Sequence, residues 1–64
     1  MLGKYLKDYR LSNNLTQTQM AEKLETSQSY YSQLEAGVRK PSFKTISKLA
    51  KLLNLEESFI RKLL

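Results

Sequence analysis

The 64-residue sequence contains no cysteine, which excludes disulfides, thiolate metal ligands and cysteine nucleophiles together and leaves the redox compartment open. Histidine is also absent, and with it the commonest general base, the usual metal ligand and every Ser-His or Cys-His pairing. The six carboxylates fall at positions that read as solvated, so no nucleophile-base pair can be assembled and an enzyme is not expected. Glycine and proline are sparse: Gly3, Gly37 and Pro41 are all there are, and no interdomain linker can be drawn. No stretch approaches the roughly 18 apolar residues of a membrane-crossing helix. Lys4, Lys7 and Asp8 interrupt the segment where a secretory leader needs its apolar run, so a cytoplasmic location is the expectation. Strand signals are few, since β-branched residues are scarce and no segment alternates apolar with polar for long.

What remains points to one small all-α domain spanning residues 1–64. A composition of 41% hydrophobic and 27% charged residues is that of a globular chain and not of a disordered tail. At this length folding hides only about 60% of the unfolded chain's surface, so packing must be good or a partner must contribute. Eleven Lys and Arg against six Asp and Glu give a net charge of +5, which favours a polyanionic partner, either nucleic acid or an acidic membrane face.

Five helices are predicted. Leu2, Leu6 and Tyr9 or Arg10 recur at helical spacing, and Asn13 and Asn14 stop the first helix because asparagine tolerates the left-handed conformation. Thr16 followed by Gln19 is a capping box, with Leu15 and Met20 placed for a hydrophobic staple, so a second helix runs from Gln17 to about Leu24. Glu25-Thr26-Ser27 interrupts it, Ser27 or Thr26 caps a third helix through Gln28–Ala36, and Gly37 ends that one. Ser42 caps a fourth, whose apolar face is Ile46, Leu49, Ala50 and Leu53 and whose end is Asn54. A fifth begins at about Glu56, where acids suit the helix dipole, and carries Phe59, Ile60, Leu63 and Leu64.

Two short helices three residues apart need a reason to be so close. Ala21 supplies one, because a small mid-helix residue lets a second helix cross at close range, with Met20, Leu24, Tyr31 and Leu34 filling the angle. Helices meeting at roughly 90 to 120° across a short turn form a helix-turn-helix; the plainer alternative makes Ala21 only a good helix former in an ordinary bundle. With Tyr31 and Leu34 inward, Gln28, Ser29, Ser32 and Gln33 face outward. An idle surface helix would carry Lys and Glu, whereas this one carries amides and hydroxyls, groups that can bond base edges in a major groove. A merely solvated polar face is the competing reading for each of them taken singly.

Phosphate-binding groups should flank such a helix. Arg39, Lys40, Lys44, Lys48 and Lys51 form a run of positive charge without an intervening acid. Arg39, Lys40 and Lys44 follow the third helix directly, while Lys48 and Lys51 read as solvated. The capped starts at Thr16-Gln17 and Ser42-Phe43 offer free amides and a positive dipole end.

The stretches Leu15-Thr16-Gln17-Thr18-Gln19-Met20-Ala21-Glu22-Lys23-Leu24, Thr26-Ser27-Gln28-Ser29, Tyr31-Ser32-Gln33-Leu34-Glu35-Ala36-Gly37, Lys40-Pro41-Ser42 and Leu49-Ala50-Lys51-Leu52-Leu53-Asn54-Leu55 resemble the helix-turn-helix domain of phage repressor and Cro proteins. This is the xenobiotic-response-element family, and the resemblance covers Leu6 to about Leu63. It implies a compact five-helix, lambda-repressor-like bundle with the helix-turn-helix in helices two and three. It implies further that Gln17 touches phosphate, that Gln28, Ser29 and Gln33 read bases with Ser32 on the same face, and that Arg10 and Glu35 form a structural ion pair. Ser27, Tyr30, Arg39, Lys40, Ser42 and Lys44 complete the expected phosphate-binding set. Three positions depart from the family pattern. Glu25 stands where glycine is frequent, so a left-handed residue there carries strain of about 1 kcal/mol unless the turn is built differently. Tyr30 and Tyr31 are adjacent and about 100° apart on a helix; Tyr31 is assigned inward and Tyr30 to the DNA edge, its hydroxyl on phosphate and its ring near a thymine methyl. Glu56 replaces a frequent Ser or Thr cap.

The function these features imply is sequence-specific binding of double-stranded DNA by a transcriptional regulator, a repressor, acting as a homodimer on a palindromic operator. Phe59, Ile60, Leu63 and Leu64 are the interface candidates; core closure is the better reading for the first three, which leaves Leu64. An antitoxin of a toxin-antitoxin pair and the DNA-binding domain of a longer regulator are the alternatives. No cofactor, metal, membrane or small-molecule ligand is expected.

Overall fold

Local signals at the helix starts set the element order. In the computed structural model, which describes all of residues 1–64, the helices are α1 (Leu2–Ser12), α2 (Gln17–Lys23), α3 (Gln28–Ala36), α4 (Phe43–Leu53) and α5 (Glu57–Lys62), and there is no strand. Thr16 and Gln19 form both bonds of the capping box: Gln19 N–H donates to Thr16 Oγ1 at 3.0 Å and Thr16 N–H to Gln19 Oε1 at 2.8 Å. Ser27 and Ser42 accept from the amides of Tyr30 and Thr45, capping α3 and α4. Glu56 begins α5 without a side-chain cap.

The first four helices stop in the same way. Asn14, Glu25, Gly37 and Asn54 each adopt positive φ, at 55°, 56°, 79° and 56°. After each, the next amide folds back onto a carbonyl five residues earlier, as Leu15 onto Arg10, Thr26 onto Ala21, Val38 onto Gln33 and Leu55 onto Ala50. This closure satisfies carbonyls that a helix end leaves open. Glu25 therefore accepts the left-handed conformation and its strain of about 1 kcal/mol rather than building a different turn.

Every helix contributes to one core of Leu2, Leu6, Met20, Ala21, Leu24, Tyr31, Leu34, Ile46, Leu49 and Ile60. The central element is α3, which packs against both α1 and α2, while α4 packs on α5. Ala21 is 2% exposed where α2 meets α3, as a close crossing requires. Gly3 is buried, and a methyl group at that position would collide with the Glu35 carbonyl oxygen. It is the point where α1 touches the end of α3. No helix is long and apolar enough to cross a membrane.

Candidate nucleic-acid interface

Because Tyr31 and Leu34 are 0% and 1% exposed, helical geometry turns the other side of α3 outward. Gln28 and Ser29 are exposed there, and Ser32 and Gln33 are half-buried. No acid lies among them on that face. Ser27, exposed at the start of α3, uses its oxygen to accept the Tyr30 amide and keeps its own hydrogen free.

At the far end of α3 the orientation is fixed by a nearly buried ion pair. Arg10 Nε and Nη2 donate to Glu35 Oε2 and Oε1, both at 2.9 Å, with the side chains 13% and 6% exposed. Arg10 Nη1 also donates to the Leu15 carbonyl at 3.0 Å, tying α1, the α1–α2 turn and α3 together. These bonds hold the Glu35 carboxyl down at about 2, against the opposing effect of burial, and raise the pKa of Arg10. Gln17, the first residue of α2, donates from Nε2 to Glu35 Oε1 at 3.3 Å, so one donor of this expected phosphate contact is turned to the ion pair. Tyr31 places its hydroxyl in the same cluster, fully buried and without a hydrogen bond of good geometry. Burial, followed by the Glu35 carboxylate, pushes its pKa up.

On the other flank, α3 and the start of α4 enclose an open depression of about 420 Å³, lined by Glu25, Tyr30, Arg39, Lys40, Ser42, Lys44 and Lys48 among others. Lys48, expected to be only solvated, is drawn in by an ion pair with Glu25 at 3.1 Å. Lys51 is exposed on the same helix. Lys40 and Lys44 are exposed on the rim.

Tyr30 and Ser42 differ from expectation. Tyr30 is half-buried, its hydroxyl donating to Thr45 Oγ1 at 3.3 Å and accepting from Ser42 N–H at 3.1 Å. Ser42 Oγ donates to Thr45 Oγ1 at 3.1 Å. The donors that both residues were expected to offer to phosphate are thus used inside the protein, and free amides at the start of α4 come from the residues after Ser42. Burial raises the Tyr30 pKa, but the bonds to Thr45 and Ser42 and the charge of Arg39 outweigh it, and the net shift is downward. Arg39 lies over the Tyr30 ring, 5.0 Å from its centroid, and donates to Gln33 Oε1 at 3.4 Å.

The dimer candidates separate by burial. Ile60 is fully buried, and Leu63 is half-buried with its carbonyl accepting from Leu2 N–H at 3.1 Å. Phe59 is 41% and Leu64 49% exposed, with Phe59 edge-on to Tyr5. Sequence reasoning missed Phe43, which is 82% exposed with the Arg61 guanidinium 6.0 Å from its ring centroid.

This arrangement of capped short helices around a polar, uncharged α3 face agrees with comparison to known proteins, where the helix-turn-helix family model matches residues 6–60. The chain belongs to the Cro/C1-type helix-turn-helix family. It is 42% identical over 60 residues to the ImmF control region 10 kDa protein of Bacillus phage phi105, a match covering 94% of this chain and 67% of that one. The SPbeta prophage-derived uncharacterized HTH-type transcriptional regulator YonR of Bacillus subtilis (strain 168) is 34% identical over 62 residues, 97% of this chain and 57% of that one. The uncharacterized HTH-type transcriptional regulator YqaF of the same strain is 34% identical over 56 residues, 88% and 74% of the two chains. This Cro/C1-type chain thus spans between 57% and 74% of the length of these relatives. No solved structure matches it.

Proposed function

We propose that residues 1–64 form one DNA-binding domain of a sequence-specific transcriptional repressor, which lays α3 in the major groove of a palindromic operator as a homodimer. Membership of the Cro/C1-type family implies double-stranded DNA as the partner. The observation that carries the finer reading is the outward face of α3: Gln28, Ser29, Ser32 and Gln33 offer amides and hydroxyls without charge beside a basic depression. Amides and hydroxyls bond base edges, and lysines neutralise phosphate and fix register. Lys40, Lys44, Ser27 and the free donor of Gln17 take the phosphate role, with Lys48 added to them. The printed names of YonR and YqaF call those proteins transcriptional regulators, and that of the phi105 relative refers to a control region, which supports a regulatory role here. Repression is the simplest outcome for a domain of this size, since an occupied operator blocks transcription without a further contact.

Dimerisation follows from the need for affinity, because one copy presents one reading helix and few phosphate contacts. Phe43, Phe59 and Leu64 supply exposed apolar surface for it, and Ile60, being fully buried, does not. The test is selection of bound duplexes from a random library together with sedimentation. The expected result is an inverted repeat with half-sites about 34 Å apart, bound by two copies. Absence of any enriched sequence would sink the DNA-reading role, and a single copy on the selected duplex at high micromolar concentration would remove the dimer.

A further inference from the structure

The two glutamines on the outer face of α3 have different surroundings. Gln28 is exposed and no protein group holds its amide. Gln33 is half-buried, with its Oε1 bonded by Arg39 Nη1 at 3.4 Å. Arg39 is itself seated, its guanidinium carbon 5.0 Å from the Tyr30 ring centroid, and Tyr30 is anchored by its hydroxyl to Ser42 and Thr45 at the start of α4. A continuous line of contacts therefore runs from the α4 cap through Tyr30 and Arg39 to Gln33.

An amide has an acceptor end and a donor end, and a guanidinium, carrying donors only, can bond the acceptor end alone. Arg39 thereby decides which end of Gln33 is engaged. A free glutamine bonds adenine by accepting from N6 and donating to N7 at once. With one of its carbonyl's two acceptor sites taken by Arg39, Gln33 keeps both Nε2 hydrogens and a reduced acceptor. The hydrogens match guanine, which offers both O6 and N7, or thymine O4, whereas adenine offers them only N7 and needs the partly occupied oxygen for its N6 donor.

We propose that Arg39 is a positioning residue for base recognition: by holding the Gln33 carbonyl it makes Gln33 a hydrogen-bond donor that selects guanine or thymine over adenine at one position of each half-site. The inference rests on the reading of α3 as the base-contacting helix, and it gives Arg39 a role beyond the phosphate neutralisation expected from its charge.

Wild type, Arg39→Ala, Gln33→Ala and the double variant, each checked for an unchanged melting curve, are carried through selection from the same random duplex library. Wild type should enrich guanine or thymine at one position. Arg39→Ala should move that position towards adenine by about tenfold and leave the others unchanged. Gln33→Ala should erase the preference there, and adding Arg39→Ala to it should alter no base preference further. Uniformly weaker binding by Arg39→Ala with every preference intact would assign Arg39 to phosphate and overturn the inference while the role of α3 stands. Adenine at the Gln33-dependent position in wild type would overturn it equally. If wild type enriches no sequence, the reading of α3 falls and the inference with it.

Discussion

Replacing Arg10 by alanine would strand the Glu35 carboxylate, whose side chain is only 6% exposed, with the single bond from Gln17 Nε2 at 3.3 Å. Breaking one side of a nearly buried pair costs about 3 to 5 kcal/mol. A domain of this length is stable by roughly 3 to 10 kcal/mol in all, so Arg10→Ala should sit close to unfolding. At about 4 to 8 °C per kcal/mol for a domain this small, its Tm should fall by more than about 10 °C. The same pair predicts a pH dependence. In the folded protein the Glu35 carboxyl is lowered from 4.5 to about 2, a depressed value, so its stabilisation is complete above pH 4.5 and is lost as pH falls towards 2. The gap between those values corresponds to on the order of 3 kcal/mol. Urea denaturation followed by circular dichroism from pH 7 to pH 2 should show wild type losing stability chiefly across that window, while Glu35→Gln, which keeps the carbonyl but not the charge, lacks this component. An unchanged Tm for Arg10→Ala, or parallel pH profiles for wild type and Glu35→Gln, would refute the pairing argument.

Gly3→Ala should cost about 1 to 3 kcal/mol by forcing α1 away from the Glu35 carbonyl; a wild-type Tm would show that the two helices do not touch there. Glu25→Gly should raise Tm by a few degrees, since relief of about 1 kcal/mol of left-handed strain exceeds the loss of the Lys48 pair, in which Glu25 is 76% exposed and which is worth about 0 to 1 kcal/mol; a lowered Tm would reverse that ranking. Lys40→Ala should weaken selected and random duplexes alike and make the salt slope shallower by about one. A loss confined to the selected duplex would instead make Lys40 a base contact.

The starts of α2, α3 and α4 were legible because Thr16 and Ser42 announce themselves by residue type and spacing, while at α3 the sequence offered Thr26 or Ser27 and the structure uses Ser27. Three of the four left-handed stops were legible for a similar reason, as Asn14, Gly37 and Asn54 are residues that tolerate positive φ. Glu25 was marked only by the family resemblance, as a position where glycine is frequent, because its conformation comes from the bonds that close the turn, from Glu25 N–H to Glu22 and from Thr26 N–H to Ala21, and not from its own preference. Gly3 carries no signal in the sequence, because what requires a glycine there is the Glu35 carbonyl of α3 lying against it. The outward face of α3 follows from helical periodicity once Tyr31 and Leu34 are placed in the core. Periodicity is silent about partners on other elements, so the turning of Tyr30 towards Ser42, of Arg39 towards Gln33 and of Lys48 towards Glu25 emerges only from the fold.

Whether the amides of α3 meet base edges is decided by the affinities of wild type and Gln28→Ala for the selected operator and for a random duplex of equal length at one salt concentration. A loss of about 1 to 3 kcal/mol on the operator with little change on random DNA is expected. Equal weakening on both duplexes, or no change on either, would contradict base reading by α3.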